Sequence, residues 1–249
     1  MQRSRSPFQF SLIATAARPQ YWMNLYRSIG GNSVRFELVF AGPNRPTFTL
    51  PWSFKYIQTN VKPAQCVEIA SRHATGELIM QVADDLEFIT EHPLDELYHL
   101  YKSFNNEKIM LSPRYTVDGI DVSDESTHFF YADGSSPTVA VGMILSRKMY
   151  RELGGMDRNF MAILGETDVA MRLYSIGGGV VLSNVYVNED KSKCQGSDLC
   201  HEVWDHDRKI FEDLWMMNGK VQFTRTRPLE PFSDERILEE SQGPKGRWS

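Results

Sequence analysis

The chain has 249 residues, of which 41% are hydrophobic and 24% charged, and its formal net charge is −5. This length favours one large α/β domain over two small ones, because each small domain would need a hydrophobic core of its own. The acidic balance excludes the overall basic field that is typical of nucleic-acid-binding proteins. No stretch approaches the roughly 20 apolar residues of a membrane-spanning helix, so we expect any membrane contact to be peripheral.

The cysteines are few and odd in number, namely Cys66, Cys194 and Cys200. This pattern argues against a framework of disulfide bonds and favours a reducing compartment. The apolar run at 8–17 is interrupted by polar side chains, so it predicts a strand and not a signal peptide. The expected location is therefore cytoplasmic.

The first third of the chain predicts alternating strands and helices, which is typical of a mostly parallel sheet with crossover helices. In chain order, the predicted elements are a strand at 10–14, a helix at 21–29, strands at 36–41 and 54–58, a helix at 63–74 and a strand at 77–82. Asp84 and Asp85 follow the last of these strands. Open α/β sheets bind ligands at the carboxyl ends of their strands, so this pair marks a candidate site.

The rest of the chain continues this α/β pattern with longer interruptions. In chain order, the predicted elements are a helix at 92–104, a strand at 109–113, a polar excursion at 115–137, a strand at 138–145, helices at 147–153 and 166–175, a strand at 180–187 and a helix at 203–217. Hydrophobicity falls from residue 224 onward. We predict a flexible N-terminus at 1–7, one Rossmann-like domain at 8–222, and a loosely ordered tail or partner arm at 223–249.

The adjacent acids Asp84 and Asp85 have two interpretations. An aspartate after a strand can simply cap the following turn. Two neighbouring carboxylates repel each other unless a cation or a proton intervenes, and hard divalent cations are commonly held by one or two carboxylates together with substrate phosphates. The position at a strand end favours a metal site, with Asp85 as the first choice of ligand and Asp84 sharing the metal or binding a ribose.

Several segments, taken together and in this order, resemble the inverting glycosyltransferases of the GT-A fold that are grouped as family 2. These segments are the opening loop at 15–19, the strand and acids at 74–85, the Gly-Gly-Met-Asp-Arg-Asn-Phe stretch at 154–160, the helix start at 165–173 and the helix at 207–215. The resemblance covers about 10–215. It implies a single GT-A domain with its nucleotide site at the carboxyl ends of the strands.

The resemblance also implies a reaction. Such enzymes move a sugar from a UDP-, GDP- or dTDP-linked donor to a hydroxyl of a glycan, glycolipid or glycoprotein, with inversion and with Mn²⁺ or Mg²⁺ as cofactor. Aligning on Arg172 places Glu166 where the family has its general base, with Asp168 two positions later. Asp168 can equally favour the dipole of its helix or pair with Arg172 at i,i+4.

Five further side chains are candidates for the nucleotide-sugar site. Thr15 and Arg18 lie in the opening loop, and Asn44 is the polar side chain that stands where the family has acids contacting the nucleobase. Lys62 and Arg72 are additional cations that could meet a diphosphate. Each of the three cations can instead be a solvated surface residue. The missing acids near Asn44 leave the nucleobase open.

Other features bear on the metal and the sugars. The family often has a histidine after its last strand, whereas Asn188, Glu189 and Asp190 stand there in this chain. Trp52 and the aromatic residues at 129–131 could stack on sugar rings, although such residues more often belong to a core.

Two other functions compete with that of an active glycosyltransferase. One is a catalytically silent relative that binds a sugar nucleotide or glycan, although such a relative has less need for a base such as Glu166. The other is a nucleotidyltransferase, which would favour a Gly-rich, Lys-containing loop after the first strand, and that loop is missing.

Overall fold

The computed structural model describes residues 7–123, 137–194 and 199–238. It contains a large central sheet with helices on both faces, which confirms the predicted α/β fold with a mostly parallel sheet. The strands of this sheet are β1 (Phe10–Thr15), β2 (Phe36–Gly42), β3 (Phe54–Gln58), β4 (Leu78–Gln81), β5 (Glu87–Phe88), β6 (Ile109–Val117), β7 (Ile120–Asp121), β8 (Ile144–Ser146) and β9 (Gly179–Glu189).

The helices are α1 (Pro19–Ser28), α2 (Pro63–His73), α3 (Pro93–Ser103), α4 (Arg147–Glu152), α5 (Gly165–Ser175) and α6 (Leu199–Trp215), and a small hairpin of β10 (Met216–Met217) and β11 (Lys220–Val221) follows α6. Three helices begin with a proline, whose fixed φ suits the first helical position and which has no N–H to leave unpaired. The sequence therefore marks these three helix starts directly.

The sheet runs in the order β3-β2-β1-β4-β8-β6-β9-β5, with β7 paired to β6. The first four strands are mutually parallel, and so are β6 and β9, whereas β8 is antiparallel to both β4 and β6. The carboxyl ends of β1, β2 and β4 therefore lie along one edge of the sheet. That edge carries the opening loop and the paired acids.

Alternate residues of β1 serve two cores on opposite faces of the sheet. Leu12 packs in a core with Trp22 and Leu25 of α1, while Ile13 packs in a second core with residues of α2 and α5. Burying both faces requires the nearly continuous apolar runs seen in β1 and β2. This double packing fixes the strand ends from which the site is built.

Two predicted element boundaries were wrong. The strand at 109–113 continues to Val117, so the start of the expected excursion is a strand that pairs with β9. The strand predicted at 138–145 is shorter, because Gly142 has a φ of 70° and Ser112 Oγ donates to the Val141 carbonyl in place of a ladder bond. The aromatic residues at 129–131 lie outside the described part of the chain.

The segment after residue 222 is packed against the domain as far as residue 238. Phe232 is buried, and Pro231 forms an isolated bridge with Asp157. The Arg225 side chain is only 10% exposed and pairs with two buried carboxylates. The contacts of this segment therefore belong to the same fold.

Candidate active site

Asp84 and Asp85 follow β4 at the carboxyl edge of the sheet, and both side chains are buried. Asp84 is surrounded by donors from the opening loop and α1. Its Oδ2 accepts hydrogen bonds from the backbone amides of Ala17 (2.8 Å) and Arg18 (2.6 Å) and from Trp22 Nε1 (3.0 Å), while Oδ1 accepts one from Arg18 Nε (3.0 Å). Asp84 thereby anchors the opening loop to the end of β4.

Asp85 faces the same guanidinium. Arg18 Nη2 donates to Asp85 Oδ1 at 2.7 Å, and Nη1 lies 2.5 Å from Oδ2. Burial raises the pKa of Asp85 to about 6, and the negative charges of Asp84 and Glu189 add to this, although Arg18 opposes it. A forked Arg18 therefore bridges the two acids, and Asp85 is the one that is incompletely compensated.

The other predicted nucleotide residues fall into two groups. Thr15 Oγ1 donates to the carbonyl of Pro63 (2.8 Å), and Asn44 Nδ2 donates to the carbonyl of Ala17 (2.6 Å). Both side chains therefore lie at the opening loop, next to Arg18 and Asp84. The structure brings these four predicted residues together.

Lys62 and Arg72 are directed elsewhere. Lys62 is buried, with its ammonium donating to the carbonyl of Arg158 and lying 5.5 Å from the centre of the Phe232 ring. Arg72 lies roughly 14 Å along α2 from the helix start. Its guanidinium binds Glu68, Asp234 and the Phe232 carbonyl. Both cations thus hold the 223–238 segment.

Glu166 lies in the first turn of α5 and reaches the strand that carries the paired acids. Gln81 Nε2, at the end of β4, is 3.5 Å from Glu166 Oε2. Burial raises the pKa of Glu166, and the charge of Asp207 adds to this, while the Gln81 contact lowers it. A carboxylate with a raised pKa beside a ligand edge is suited to accept a proton at neutral pH.

Asp168 has a different environment, although it is only two residues away. Its side chain is fully buried and accepts hydrogen bonds from Arg172 Nε (2.9 Å), Trp215 Nε1 (2.8 Å) and Arg225 Nε (3.3 Å). The i,i+4 ion pair with Arg172 that the spacing allowed is therefore present. These contacts join α5, α6 and the 223–238 segment, and a buried carboxylate with three donors is suited to hold them together.

The Gly-Gly-Met-Asp stretch can be explained by close packing. Gly155 has a φ of 74°, and a Cβ there would lie 2.6 Å from Glu68 Oε2, which accepts hydrogen bonds from Tyr150 Oη and the Met156 amide. Asp157 binds the Arg225 guanidinium. The motif therefore connects α2 to the 223–238 segment, and it places α5 indirectly.

Tyr115 and Glu189 are site residues that sequence reasoning did not select. Tyr115 is buried on β6, and its pKa is raised by burial and by the nearby charges of Glu189, Glu166 and Asp85. It therefore lies within electrostatic range of both Asp85 and the candidate base Glu166. The signal that could have found it was the apolar and aromatic continuation of the strand beyond residue 113.

The cluster can be tested for its fit to a divalent cation. Asp85 supplies two carboxylate oxygens, and the charge of Glu189 lies close by. Within the described ranges, no group of three or more His, Cys, Asp or Glu side chains could hold a metal ion. Arg18 holds both Asp85 oxygens, so a cation would bind Asp85 only after Arg18 turned to another partner, and it would take most of its ligands from substrate phosphates and water.

No family model matches the chain, and no curated protein sequence matches it. Solved structures do. S. aureus TarS 1-349 has a TM-score of 0.58 at 12% identity, covering 86% of this chain and 67% of that one. TarS 1-349 in complex with UDP has a TM-score of 0.56 at 14% identity over the same shares, and its complex with UDP-GlcNAc has 0.55 at 13%, over 73% and 58%.

The longer S. aureus TarS chain is matched over only 41% of its length, with a TM-score of 0.57. Among the described residues, no helix combines the length and apolar character needed to cross a membrane. The chain has the fold of TarS, a glycosyltransferase, with Asp84, Asp85 and Glu166 gathered at the carboxyl edge of its sheet.

Proposed function

We propose that this protein is an inverting glycosyltransferase that uses a nucleotide-diphospho-sugar donor and a divalent cation. The observation that carries the proposal is the meeting of the Asp84–Arg18–Asp85 cluster with Glu166, which faces the end of the same strand through Gln81. Open α/β sheets bind nucleotides at this edge. Because TarS structures contain UDP and UDP-GlcNAc, a UDP-linked sugar is the first donor to test.

The donor side would use the opening loop. The carboxylate of Asp84 fixes this loop by accepting hydrogen bonds from two backbone amides of the loop. Thr15 and Asn44 are thereby held where a nucleoside can lie. The Arg18 side chain is 22% exposed, so its guanidinium can reach a diphosphate with the forked geometry that suits phosphate oxygens. Asp85, with substrate phosphates, would hold Mn²⁺ or Mg²⁺, which neutralises the charge that develops on the leaving diphosphate.

The acceptor side would use Glu166. Its carboxylate removes the proton from the acceptor hydroxyl, whose oxygen then forms a bond to the anomeric carbon of the donor sugar. The bond from that carbon to the diphosphate breaks at the same time, and the nucleoside diphosphate leaves with the electron pair. Attack on the face opposite the leaving group inverts the anomeric centre.

A donor panel tests this function. The protein is incubated with UDP-, GDP- and dTDP-sugars, with and without Mn²⁺ or Mg²⁺, and release of nucleoside diphosphate is measured. Removal of a general base typically costs 10²–10⁴-fold, so Glu166→Gln is expected to lower kcat by about 10³-fold. Asp85→Asn is expected to cause a loss of similar size, on the order of 10³-fold, by removing a cation ligand.

The controls separate the competing functions. Glu91→Gln alters an exposed glutamate remote in sequence from both motifs and is expected to retain full activity. A different result would instead support a silent binding relative: the protein binds UDP without turning over a donor, and Glu166→Gln and Asp85→Asn leave that binding unchanged. Pyrophosphate release from a nucleoside triphosphate would support a nucleotidyltransferase.

A further inference from the structure

The turn before Glu166 has an unfavourable backbone conformation. Leu164, the residue preceding α5, has a φ of 58° in the left-handed region. A bulky non-glycine residue adopts this conformation only when its surroundings enforce it. Something must therefore hold the chain on either side of Leu164, and Glu166 comes only two residues later.

The enforcing group is Asp207 of α6. Its fully buried carboxylate accepts hydrogen bonds from three successive backbone amides, those of Met161 (2.8 Å), Ala162 (2.9 Å) and Ile163 (2.9 Å). His206 Nδ1 lies 2.9 Å from Asp207 Oδ1. Charge-assisted hydrogen bonds of this kind are roughly twice as strong as neutral ones.

The same turn also contacts the donor side. The carbonyl of Met161 accepts a hydrogen bond from the amide of Ala64 (2.9 Å), in the first turn of α2. The neighbouring Pro63 carbonyl accepts the hydroxyl of Thr15 in the opening loop. A continuous chain of hydrogen bonds thus runs from Asp207 through the turn to the loop that would hold the nucleotide.

We infer that Asp207 is a positioning residue that sets the distance and angle of Glu166 relative to the donor loop by holding the 161–163 amides. The inference rests on the proposed function and adds to it a residue that touches neither substrate. A misplacement of about 1 Å in a reacting geometry can cost on the order of 10²-fold in rate, so a residue of this kind has a measurable effect on kcat.

The charge of Asp207 gives a second consequence. Among the described residues, Gln81 of β4 contacts Glu166, while Tyr115 of β6 and Asp207 of α6 lie within its electrostatic range. Asp207 is the negative charge among them, and it helps burial to raise the pKa of Glu166. Neutralising it lowers that pKa, so the acidic limb of the kcat profile moves to lower pH.

The test compares Asp207→Asn with Asp205→Asn, which changes an exposed carboxylate on the same helix. For Asp207→Asn we expect kcat to fall by about 10²-fold while the donor KM changes less than about threefold, with the acidic limb at lower pH. Asp205→Asn should match the wild type. Asp207→Glu keeps the charge but displaces the oxygens, so it should lower kcat without moving the limb.

Other results overturn the inference. The first is a kcat of Asp207→Asn within about threefold of wild type. The second is an equal loss of donor binding and of thermal stability in Asp207→Asn. The third is failure of both Asp207 variants to fold. If the wild type itself releases no nucleoside diphosphate, the proposed function fails. Hydrogen exchange then examines the turn separately, since loss of protection in Asp207→Asn should be confined to 161–166.

Discussion

The two acidic motifs of this protein divide their carboxylates in the same way. In the first motif, Asp84 accepts four hydrogen bonds and anchors a loop, while Asp85 faces the site with a raised pKa. In the second motif, Asp168 accepts three hydrogen bonds and joins two helices, while Glu166 faces the site with a raised pKa. Each motif contains one acid saturated by hydrogen bonds of the fold and one whose pKa is raised.

The parallel extends to the donors. Trp22 Nε1 binds Asp84 at 3.0 Å, and Trp215 Nε1 binds Asp168 at 2.8 Å, with both indoles fully buried. Arginines complete each set, namely Arg18 at Asp84 and both Arg172 and Arg225 at Asp168. The difference is that Arg18 is partly exposed and spans both acids of its motif, whereas Arg172 is buried, pairs with Asp168 and donates to the carbonyls of Leu153 and Gly155. The first motif therefore has a partly exposed arginine at its acids, whereas Arg172 in the second motif is buried among its partners.

The largest expected contrast is in stability between the two acids of α5. Asp168→Asn leaves Arg172 buried without its carboxylate and leaves Arg225 with Asp157 alone, and breaking a buried ion pair typically costs about 3–5 kcal/mol. Glu166→Gln replaces a partly buried acid of raised pKa by a neutral amide, so it should not lower the free energy of unfolding at pH 7.5. Urea denaturation at pH 7.5 measures both.

These two variants control for each other, because each turns an acid into its isosteric amide on the same helix. Equal losses of stability would contradict the division between a structural and a reactive acid. So would an unchanged stability of Asp168→Asn accompanied by a loss of turnover as large as that of Glu166→Gln.

The second contrast is the pH dependence of Asp85. Its pKa in the folded protein is about 6, above the ordinary aspartate value of 3.8, so its protonated form is favoured by folding. The stabilising contribution is therefore complete below about pH 4 and is lost as the pH rises to about 6. At 1.36 kcal/mol per pH unit, the loss is roughly 3 kcal/mol.

Asp85→Asn lacks this titration, so the informative quantity is the difference in unfolding free energy between wild type and variant. We expect that difference to fall between pH 4 and 6, to the disadvantage of the wild type, and to be constant above pH 7. Denaturant titrations at four pH values without donor or cation measure it. A difference independent of pH would show that folding does not favour the protonated form of Asp85.

The sequence predicted the ordered strands and the positions of the acids because these depend on local patterns. Buried parallel strands give apolar runs, and Asp84 and Asp85 follow such a run directly. The partners of these acids were less predictable. Arg18 was selected for its loop, but the pairing of its guanidinium with both acids depends on a contact 66 and 67 residues away in the chain.

The second half of the site shows the same limit. Asp168 and Glu166 have the same charge and lie in the same helical turn, so only the family resemblance favoured Glu166 as the base, and the role of Asp168 stayed open. The separation depends on Trp215 and Arg225, which reach Asp168 from a later helix and from a segment that composition had marked as loose. Lys62 and Arg72 were plausible phosphate ligands until packing directed them toward that segment.

The smallest predicted effect tests the two indole contacts. Trp22→Phe and Trp215→Phe each remove one N–H from a buried carboxylate while keeping an aromatic ring, and hydrogen bonds to charged groups contribute about 1.5–3 kcal/mol. Each variant should therefore lose about 2 kcal/mol of unfolding free energy.

The kinetic effects of Trp22→Phe and Trp215→Phe should differ, because Asp84 holds the opening loop and Asp168 holds the helix of the candidate base. Trp22→Phe should mainly raise the donor KM, whereas Trp215→Phe should mainly lower kcat. Steady-state kinetics with a saturating acceptor distinguish the two, and identical kinetic changes would mean that the motifs do not serve separate sides of the site.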